Sequence, residues 1–414
     1  MQAEIITIGE ELLIGQIENS NAAWIAEQLN GVGISVRQVS VVSDTEGEIV
    51  RILSEAFERT ELLLLTGGLG PTRDDVTKAA LCRFFNTDLV LNNEVLEDVV
   101  ALFGRRNLGI TELNHQQAMV PVGARVLRNK KGTAPGLWFE RQQKICVAMP
   151  GVPFEMKAMM EDHVLPALKK RQQNRFIIHR TILTQGIGES FLSEIISVWE
   201  NNLPPFCKLA YLPSAGQVRL RLSASGPSES ELKSALAYEE EKLLKLIPQY
   251  VWGFDNQTLQ GVVGGLLKDR KLTISTAESC TGGFLAHKIT SVAGSSAYFK
   301  GSIVAYSNEL KTKQLGVHEN LLEMYGAVSR QVVEAMAQNG CRILGTDYCL
   351  ATSGIAGPGG GTPEKPVGMV WIAVASKHEV YSKLLYLGNL RERNIYQASM
   401  AALALLREKL INLY

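Results

Sequence analysis

The sequence predicts an α/β protein made of two three-layer α/β domains joined by a small α+β module. Three observations carry that reading. From Ala3 to about Leu168, apolar strand-like runs and helix-like segments follow one another in strict succession. Between about Arg175 and Trp252 the texture changes to a strand, a helix, two strands and one long helix. From about Gln257 the earlier succession resumes and closes on two adjacent strands and a final helix. The corresponding domain ranges are 1–170, 171–253 and 254–414, and each is large enough to bury its own core.

Composition narrows the function classes. Hydrophobic residues at 46% and charged ones at 20% are ordinary for a globular protein. Lys plus Arg and Asp plus Glu both total 42, so no basic excess announces a polyanionic partner, and no nucleic acid is expected. The six cysteines form no C-x-x-C pair and sit in apolar or helical contexts, as reduced thiols of a cytoplasmic protein do. Met1 leads directly into what reads as a first strand, and no apolar run approaches membrane-spanning length. A cytoplasmic protein with no membrane partner is therefore expected.

In the first domain, strands are expected over 4–8, 34–42 and 62–66, and helices over 21–29, 46–59 and 76–85. Strict alternation implies right-handed crossovers and a mostly parallel sheet with helices on both faces. Sites in such folds lie beyond the carboxyl ends of the strands. Three loops fall there: G-E-E-L-L-I-G at Gly9–Gly15 with N-S-N following, Ser43–Asp44, and T-G-G-L-G-P-T-R-D-D-V-T at Thr66–Thr77. In the third, glycines permit close backbone approach and two carboxylates stand at a helix start. Asp74 and Asp75 could hold a hydrated, magnesium-like cation or could simply cap the helix, and the two accounts weigh about evenly. Two later glycine-proline loops, N-K-K-G-T-A-P-G and M-P-G-V-P-F-E-M, join them.

These loops together resemble the amino-terminal half of the competence/damage-inducible CinA family, which belongs to the molybdopterin-binding-like superfamily. The resemblance implies a metal-dependent pyrophosphatase acting on ADP-ribose. It places Asp44, Asp74 and Asp75 as the matching carboxylates for a divalent cation, with Gly67, Gly68 and Thr72 near the pyrophosphate.

In the middle segment, strands are expected over 180–184, near 208–212 and over 217–223, with helices after Gly188 and over 229–246. The comparable CinA segment resembles a K-homology fold. No G-x-x-G clamp is present, and Arg219 with Arg221 reads as a solvated strand face, so a spacer is the stronger reading.

The third domain centres on T-I-S-T-A-E-S-C-T-G-G-F, Thr273–Phe284. A β-branched run over 272–276 reads as a buried strand, and Ala286, Ile289 and Val292 follow at helical spacing, so Ser279 sits at a strand-to-helix turn. Such a turn lifts a hydroxyl out of the sheet and offers the N–H groups of Cys280, Thr281, Gly282 and Gly283 to a developing oxyanion. A helix cap is the plain alternative.

His287, His318 and His378 are poorly placed for a triad, so the base is sought among lysines. A-Y-S-N-E-L-K leaves a strand over 302–306 and delivers Tyr306 at its end and Lys311 one turn into a helix capped by Ser307 or Asn308. Acting as a base requires Lys311 to be neutral, through burial or through a neighbouring cation such as Lys313. After a strand over 348–353, the loop Thr352–Pro363 carries five glycines, dense enough in N–H groups to cradle a phosphate, with Lys365 or Arg391 adding charge. Strands over 368–375 and 380–387 are expected as an antiparallel hairpin.

A-E-S-C-T-G-G, Y-S-N-E-L-K, G-A-V-S and S-G-I-A-G-P-G-G-G-T-P-E-K-P-V-G, in that order, resemble the CinA carboxy-terminal domain, also found alone as the nicotinamide mononucleotide deamidase PncC. The resemblance implies a serine amidohydrolase that releases ammonia without a cofactor. It makes Ser279 the nucleophile, Lys311 the general base and Tyr306 a helper that orients or relays the proton. Thr281, Gly282, Gly283, Gly357, Gly359, Gly360 and Arg391 become substrate contacts. Arg330 stands where an acidic residue is common, and the arginine spacing of Asn389–Asn394 departs from the stand-alone enzymes. Small nucleotides are the implied substrates and a homodimer the implied state. The competing readings are a non-catalytic role in competence or DNA damage response, and a pterin-binding first domain.

Overall fold

The computed structural model describes residues 1–72, 74–104, 111–172, 176–214 and 216–411, so Arg73 of the third loop and the boundary residue Arg175 lie outside the described residues. The chain divides into two compact units. One comprises Met1–His179, Pro204–Lys208 and Ser223–Tyr238; the other comprises Arg180–Leu203, Leu209–Leu222 and Glu239–Tyr414.

The first unit is organised by Leu62–Thr66, four leucines and a threonine all buried, which is what a central strand covered on both faces requires. This strand, β3, joins β1 (Gln2–Ile8), β2 (Ser35–Val42) and β8 (Lys144–Met149) as the parallel part, ordered β2-β1-β3-β8, of a six-stranded sheet. Alternate residues feed opposite cores. Ile6, Leu63 and Leu65 pack with Ile49, Leu53 and Phe57, while Ile5, Leu62 and Leu64 pack with Ile25, Leu29 and Met156.

Two strands, β6 (Arg125–Leu127) and β7 (Gly136–Arg141), extend the sheet antiparallel. A separate antiparallel pair is made by β4 (Leu89–Leu91) and β5 (Met119–Pro121). Three-residue strands such as β4, β5 and β6 are too short for period-2 alternation to register, which is why the sequence pattern omits them. In register, Ile8 faces Val42, Thr7 faces Thr66 and Thr66 faces Met149, so the loops after four parallel strands emerge side by side.

The middle segment forms a four-stranded sheet ordered β10-β11-β9-β12, from β9 (Phe176–Gln185), β10 (Cys207–Ser214), β11 (Gln217–Gly226) and β12 (Val251–Phe254). Helices Glu189–Asn201 and Glu229–Leu246 accompany it. In β11, Val218, Leu220, Leu222 and Ala224 are buried, and Arg219 and Arg221 point to solvent as a solvated face does.

In the second unit a five-stranded sheet runs β14-β13-β15-β16-β17. Its strands are β13 (Ile274–Glu278), β14 (Phe299–Val304), β15 (Tyr348–Gly354), β16 (Met369–Ser376) and β17 (Val380–Tyr386). Strand β13 pairs in parallel with β14 and β15, and the expected hairpin is β16 with β17. Helix Arg391–Ile411 packs Leu403 and Leu406 on one face, and helix Arg330–Leu344 packs Val333, Met336 and Ala337 on the other. Glu278 stands level with Val304 and Thr352, which sets the turns after β13, β14 and β15 beside one another. Among the described residues, no helix is long and apolar enough to cross a membrane.

Candidate active site

Strand β13 runs two residues further than the apolar pattern reaches, so Ser279 follows directly on the strand and not after a loop. Its N–H donates to Thr352 O at 3.0 Å, pinning the turn to β15. On the neighbouring edge, Ser307 accepts from Leu310 N and starts the helix Asn308–Leu315. One turn later, that helix carries Lys311 inward.

Lys311 is 1% exposed, a rare condition for lysine. Its Nζ lies 3.0 Å from Ser279 Oγ, 3.0 Å from Ala305 O and 3.5 Å from Tyr306 O. Carbonyl oxygens can only accept. A neutral amine therefore gives its two N–H groups to the carbonyls and turns its lone pair to the serine hydroxyl. Burial lowers the Lys311 pKa from its usual 10.5, since the charged form loses hydration there. Lys313, the cation expected to help, points outward and pairs with Glu309 at 2.6 Å. Burial, not a neighbouring cation, is the cause.

The oxyanion turn is narrower than expected. Gly282 N donates to Ser279 O at 3.1 Å and Gly283 N to Glu278 Oε2 at 3.0 Å. Both amides are spent on the turn itself. Those of Cys280 and Thr281 donate to no carbonyl or carboxylate among the described residues. The Cys280 thiol beside the serine is buried and pushed up to about 12 by desolvation, so it does not compete as a nucleophile.

Glu278 is the residue that sequence reasoning missed. It is fully buried at the end of β13, and its signal was a charged residue inside an otherwise apolar and hydroxyl-bearing strand. Asn394, also buried, was missed as well; its Nδ2 donates to Ala356 O at 3.0 Å and Gly388 O at 2.7 Å.

The glycine loop is tied from the same helix, where Arg391 donates from Nη1 to Gly357 O at 2.8 Å. Gly357 has φ +90°, and a Cβ there would meet Val367 Cγ1 at 2.6 Å, so no other residue fits. Arg391 also donates from Nη2 to the Tyr306 hydroxyl at 2.9 Å. Tyr306 thus offers its carbonyl to Lys311 and its half-exposed phenol to Arg391, and no bond joins that phenol to Ser279 among the described residues. Gly359 and Gly360 lie in the open stretch of the same loop. Lys365 is drawn aside to Tyr325 O at 2.7 Å, and Arg330 pairs with Glu334.

In the first unit, Gly67 has φ +115°, and a Cβ there would lie 2.1 Å from Ile8 O, so backbone passes backbone at the sheet end. Thr77 Oγ1 donates to Gly67 O at 2.9 Å, and Gly68 O accepts from Thr77 N. Asp75 closes the loop on itself, accepting from Gly70 N at 2.7 Å, Thr72 N at 2.8 Å and the Thr72 hydroxyl. It binds its own loop and is not the helix cap, a position held by Val76. Asp44 accepts from Glu10 N at 2.9 Å. Burial first, and then Glu11, Asp74 and Asp75, raise its pKa against that hydrogen bond. Asp74 is exposed. The three aspartates therefore share one end of the sheet. Among the described residues, however, no three of His, Cys, Asp and Glu converge on a common point that could hold a metal ion. A preformed three-aspartate cage does not fit these residues.

The chain is 48% identical over 408 residues to a CinA-like protein of Cytophaga hutchinsonii, covering 99% of this chain and 98% of that one. The chain belongs to the CinA family. Its residues 256–410 match the CinA C-terminal domain, 4–170 the probable molybdopterin binding domain and 179–253 the damage-inducible protein CinA KH domain. A putative competence-damage inducible protein of Caldicellulosiruptor saccharolyticus is 42% identical over 413 residues, with full coverage of both chains. Among solved structures, competence/damage inducible protein CihA of Agrobacterium tumefaciens is 37% identical over 36% of this chain and 92% of that one, at a TM-score of 0.36. The CinA domains account for both α/β layers and the module between them.

Proposed function

We propose that the carboxyl-terminal unit hydrolyses the carboxamide of nicotinamide mononucleotide, giving nicotinate mononucleotide and ammonia. The 3.0 Å contact between Lys311 Nζ and Ser279 Oγ, with the lysine's pKa lowered by burial, carries this reading. Lys311 takes the hydroxyl proton as Ser279 attacks the amide carbon, and the carbonyl oxygen becomes an oxyanion facing the Cys280 and Thr281 amides. The protonated Lys311 then gives that proton to the departing nitrogen, which leaves as ammonia. Water, deprotonated by the same amine, attacks the acyl carbon, and Lys311 returns that proton to Ser279 Oγ as the carboxylate product leaves. Arg391, held between Gly357 and Tyr306, adds the charge that a nucleotide phosphate requires.

Ammonia release from nicotinamide mononucleotide, measured with EDTA present, tests the reading. The unmodified chain turns over, and Ser279→Ala and Lys311→Ala each fall by at least about 1,000-fold. Absence of turnover by the unmodified chain sinks the deamidase reading.

A second reading concerns the amino-terminal loops, where clustered carboxylates face a glycine turn. It is ADP-ribose hydrolysis with a divalent cation. One or two carboxylates plus substrate phosphates suffice for magnesium, so the missing three-aspartate cage does not exclude it. ADP-ribose cleavage assayed across magnesium and manganese concentrations decides it.

A further inference from the structure

Glu278 carries no role in the chemistry above, yet it is the most heavily bonded side chain at the site. Its carboxyl receives Gly283 N at 3.0 Å, Leu285 N at 3.1 Å and Ala286 N at 2.8 Å. It also meets the hydroxyls of Thr281 at 2.7 Å, Thr276 at 3.2 Å and Ser302 at 3.5 Å. A fully buried carboxyl gains its stability only from such partners, and here they come from four places: its own strand, the strand β14, the turn after Ser279 and the helix Phe284–Thr290. Thr281 Oγ1 further contacts Thr352 Oγ1 at 2.7 Å, which extends the network to β15.

The network sorts the amides of the turn. Three N–H groups that would otherwise be free at the start of helix Phe284–Thr290 are absorbed by Glu278, and Gly282 N is absorbed by Ser279 O. What remains is the adjacent pair at Cys280 and Thr281. The side chain of Thr281 is itself held, its hydroxyl between Glu278 and Thr352.

We propose that Glu278 is the positioning residue that aims the Cys280 and Thr281 amides at the oxyanion, a role that rests on the serine-nucleophile reading of Ser279. Glu278 touches no substrate and moves no proton. Replacing one carboxylate oxygen by an amide NH2, as in Glu278→Gln, sets a donor against donors and releases part of the turn. The loss then falls on transition-state stabilisation and leaves ground-state binding intact.

The test reads the turn with and without the natural reaction. A fluorophosphonate probe forms a bond from Ser279 Oγ to phosphorus as fluoride leaves, with the hydroxyl proton passing to Lys311. Its phosphoryl oxygen needs the same two amides. With the full chain, Glu278→Gln is expected to slow labelling, followed by intact mass, by about 100-fold. It should lower kcat for nicotinamide mononucleotide similarly, with KM within about threefold and the pH midpoint of labelling unmoved. Glu278→Asp, which restores the charge on a shorter arm, recovers part of the rate and serves if the glutamine variant does not fold.

A folded Glu278→Gln that labels within about threefold of the unmodified chain overturns the proposal, as does a loss confined to KM. If the unmodified chain labels at Ser279 but releases no ammonia, the substrate assignment fails, while a slowed Glu278→Gln still upholds the positioning role.

Discussion

Strands β3 and β13 are both interior strands with a parallel neighbour on each side, and each ends at a polar loop cluster, yet the two are built oppositely. In β3 every residue is buried; Leu62–Leu65 are apolar, and polarity begins only at Thr66. In β13 every residue is buried, but Ser275, Thr276 and Glu278 are polar, each with a partner inside the sheet or turn. The difference extends to the sites. Around Ser279 the reacting groups are fixed by interior contacts, with Lys311 at 1% exposure. Around Gly67 the carboxylates are partly or wholly exposed, Asp75 bound to its own loop and Asp44 to Glu10 N in the loop after β1. A nucleophile and its amine base must be desolvated in advance to work at neutral pH. A diphosphate and a cation bring their own charges and can complete a site as they bind.

The largest break of this contrast comes from Lys311→Met, which keeps the volume and removes the amine. Ammonia release falls by at least about 1,000-fold, while the carboxyl-terminal unit becomes more stable. The sign follows from linkage. A lysine whose native pKa is lowered binds fewer protons folded than unfolded between the native value and the ordinary 10.5, so stability rises with pH across that window and is impaired below it. Removing the amine lifts that penalty, and at neutral pH Tm rises by about 2–4 °C. A Tm that falls, measured by calorimetry, shows the lysine to be a structural strut and not a strained base.

The sequence patterns made the layers legible because long elements repeat their period: helices Glu46–Arg59 and Glu229–Leu246 and strand Leu62–Thr66 fall where periodicity puts them. The motif spacing brought Ser279 and Lys311 forward, 32 residues apart in the chain and 3.0 Å apart in space. Glu278 stayed hidden because a lone acid in a short strand has the same local pattern whether it faces solvent or the interior. Only the pairing of β13 between β14 and β15 buries it. The Tyr306–Arg391 bond was illegible for the same reason, since its partners are 85 residues apart and no period links them.

Arg391→Ala sharpens the contrast at intermediate size. Its guanidinium joins the glycine loop to Tyr306 from the mouth of the site, without touching the serine or lysine. KM for nicotinamide mononucleotide rises by about 10–100-fold, as loss of a charge-assisted phosphate contact implies. The rate on the riboside, which lacks the phosphate, changes by less than about threefold. Equal losses on both substrates assign Arg391 to holding the loop and not to phosphate.

The smallest effect belongs to the amino-terminal loops. Asp44 has a raised pKa, from burial first and then from Glu11, Asp74 and Asp75, so the native state binds more protons than the unfolded one just above pH 3.8. Stability lost there as pH rises is not regained at neutrality, and Asp44→Asn recovers it. Because the group is partly exposed and screened by salt, the gain in Tm is about 1 °C or less and shrinks further at high ionic strength. Magnesium with ADP-ribose should stabilise the unmodified chain by more than the variant, since a cation completed by phosphate oxygens turns the same crowding of carboxylates into attraction. Equal stabilisation of both chains removes Asp44 from the cation's surroundings.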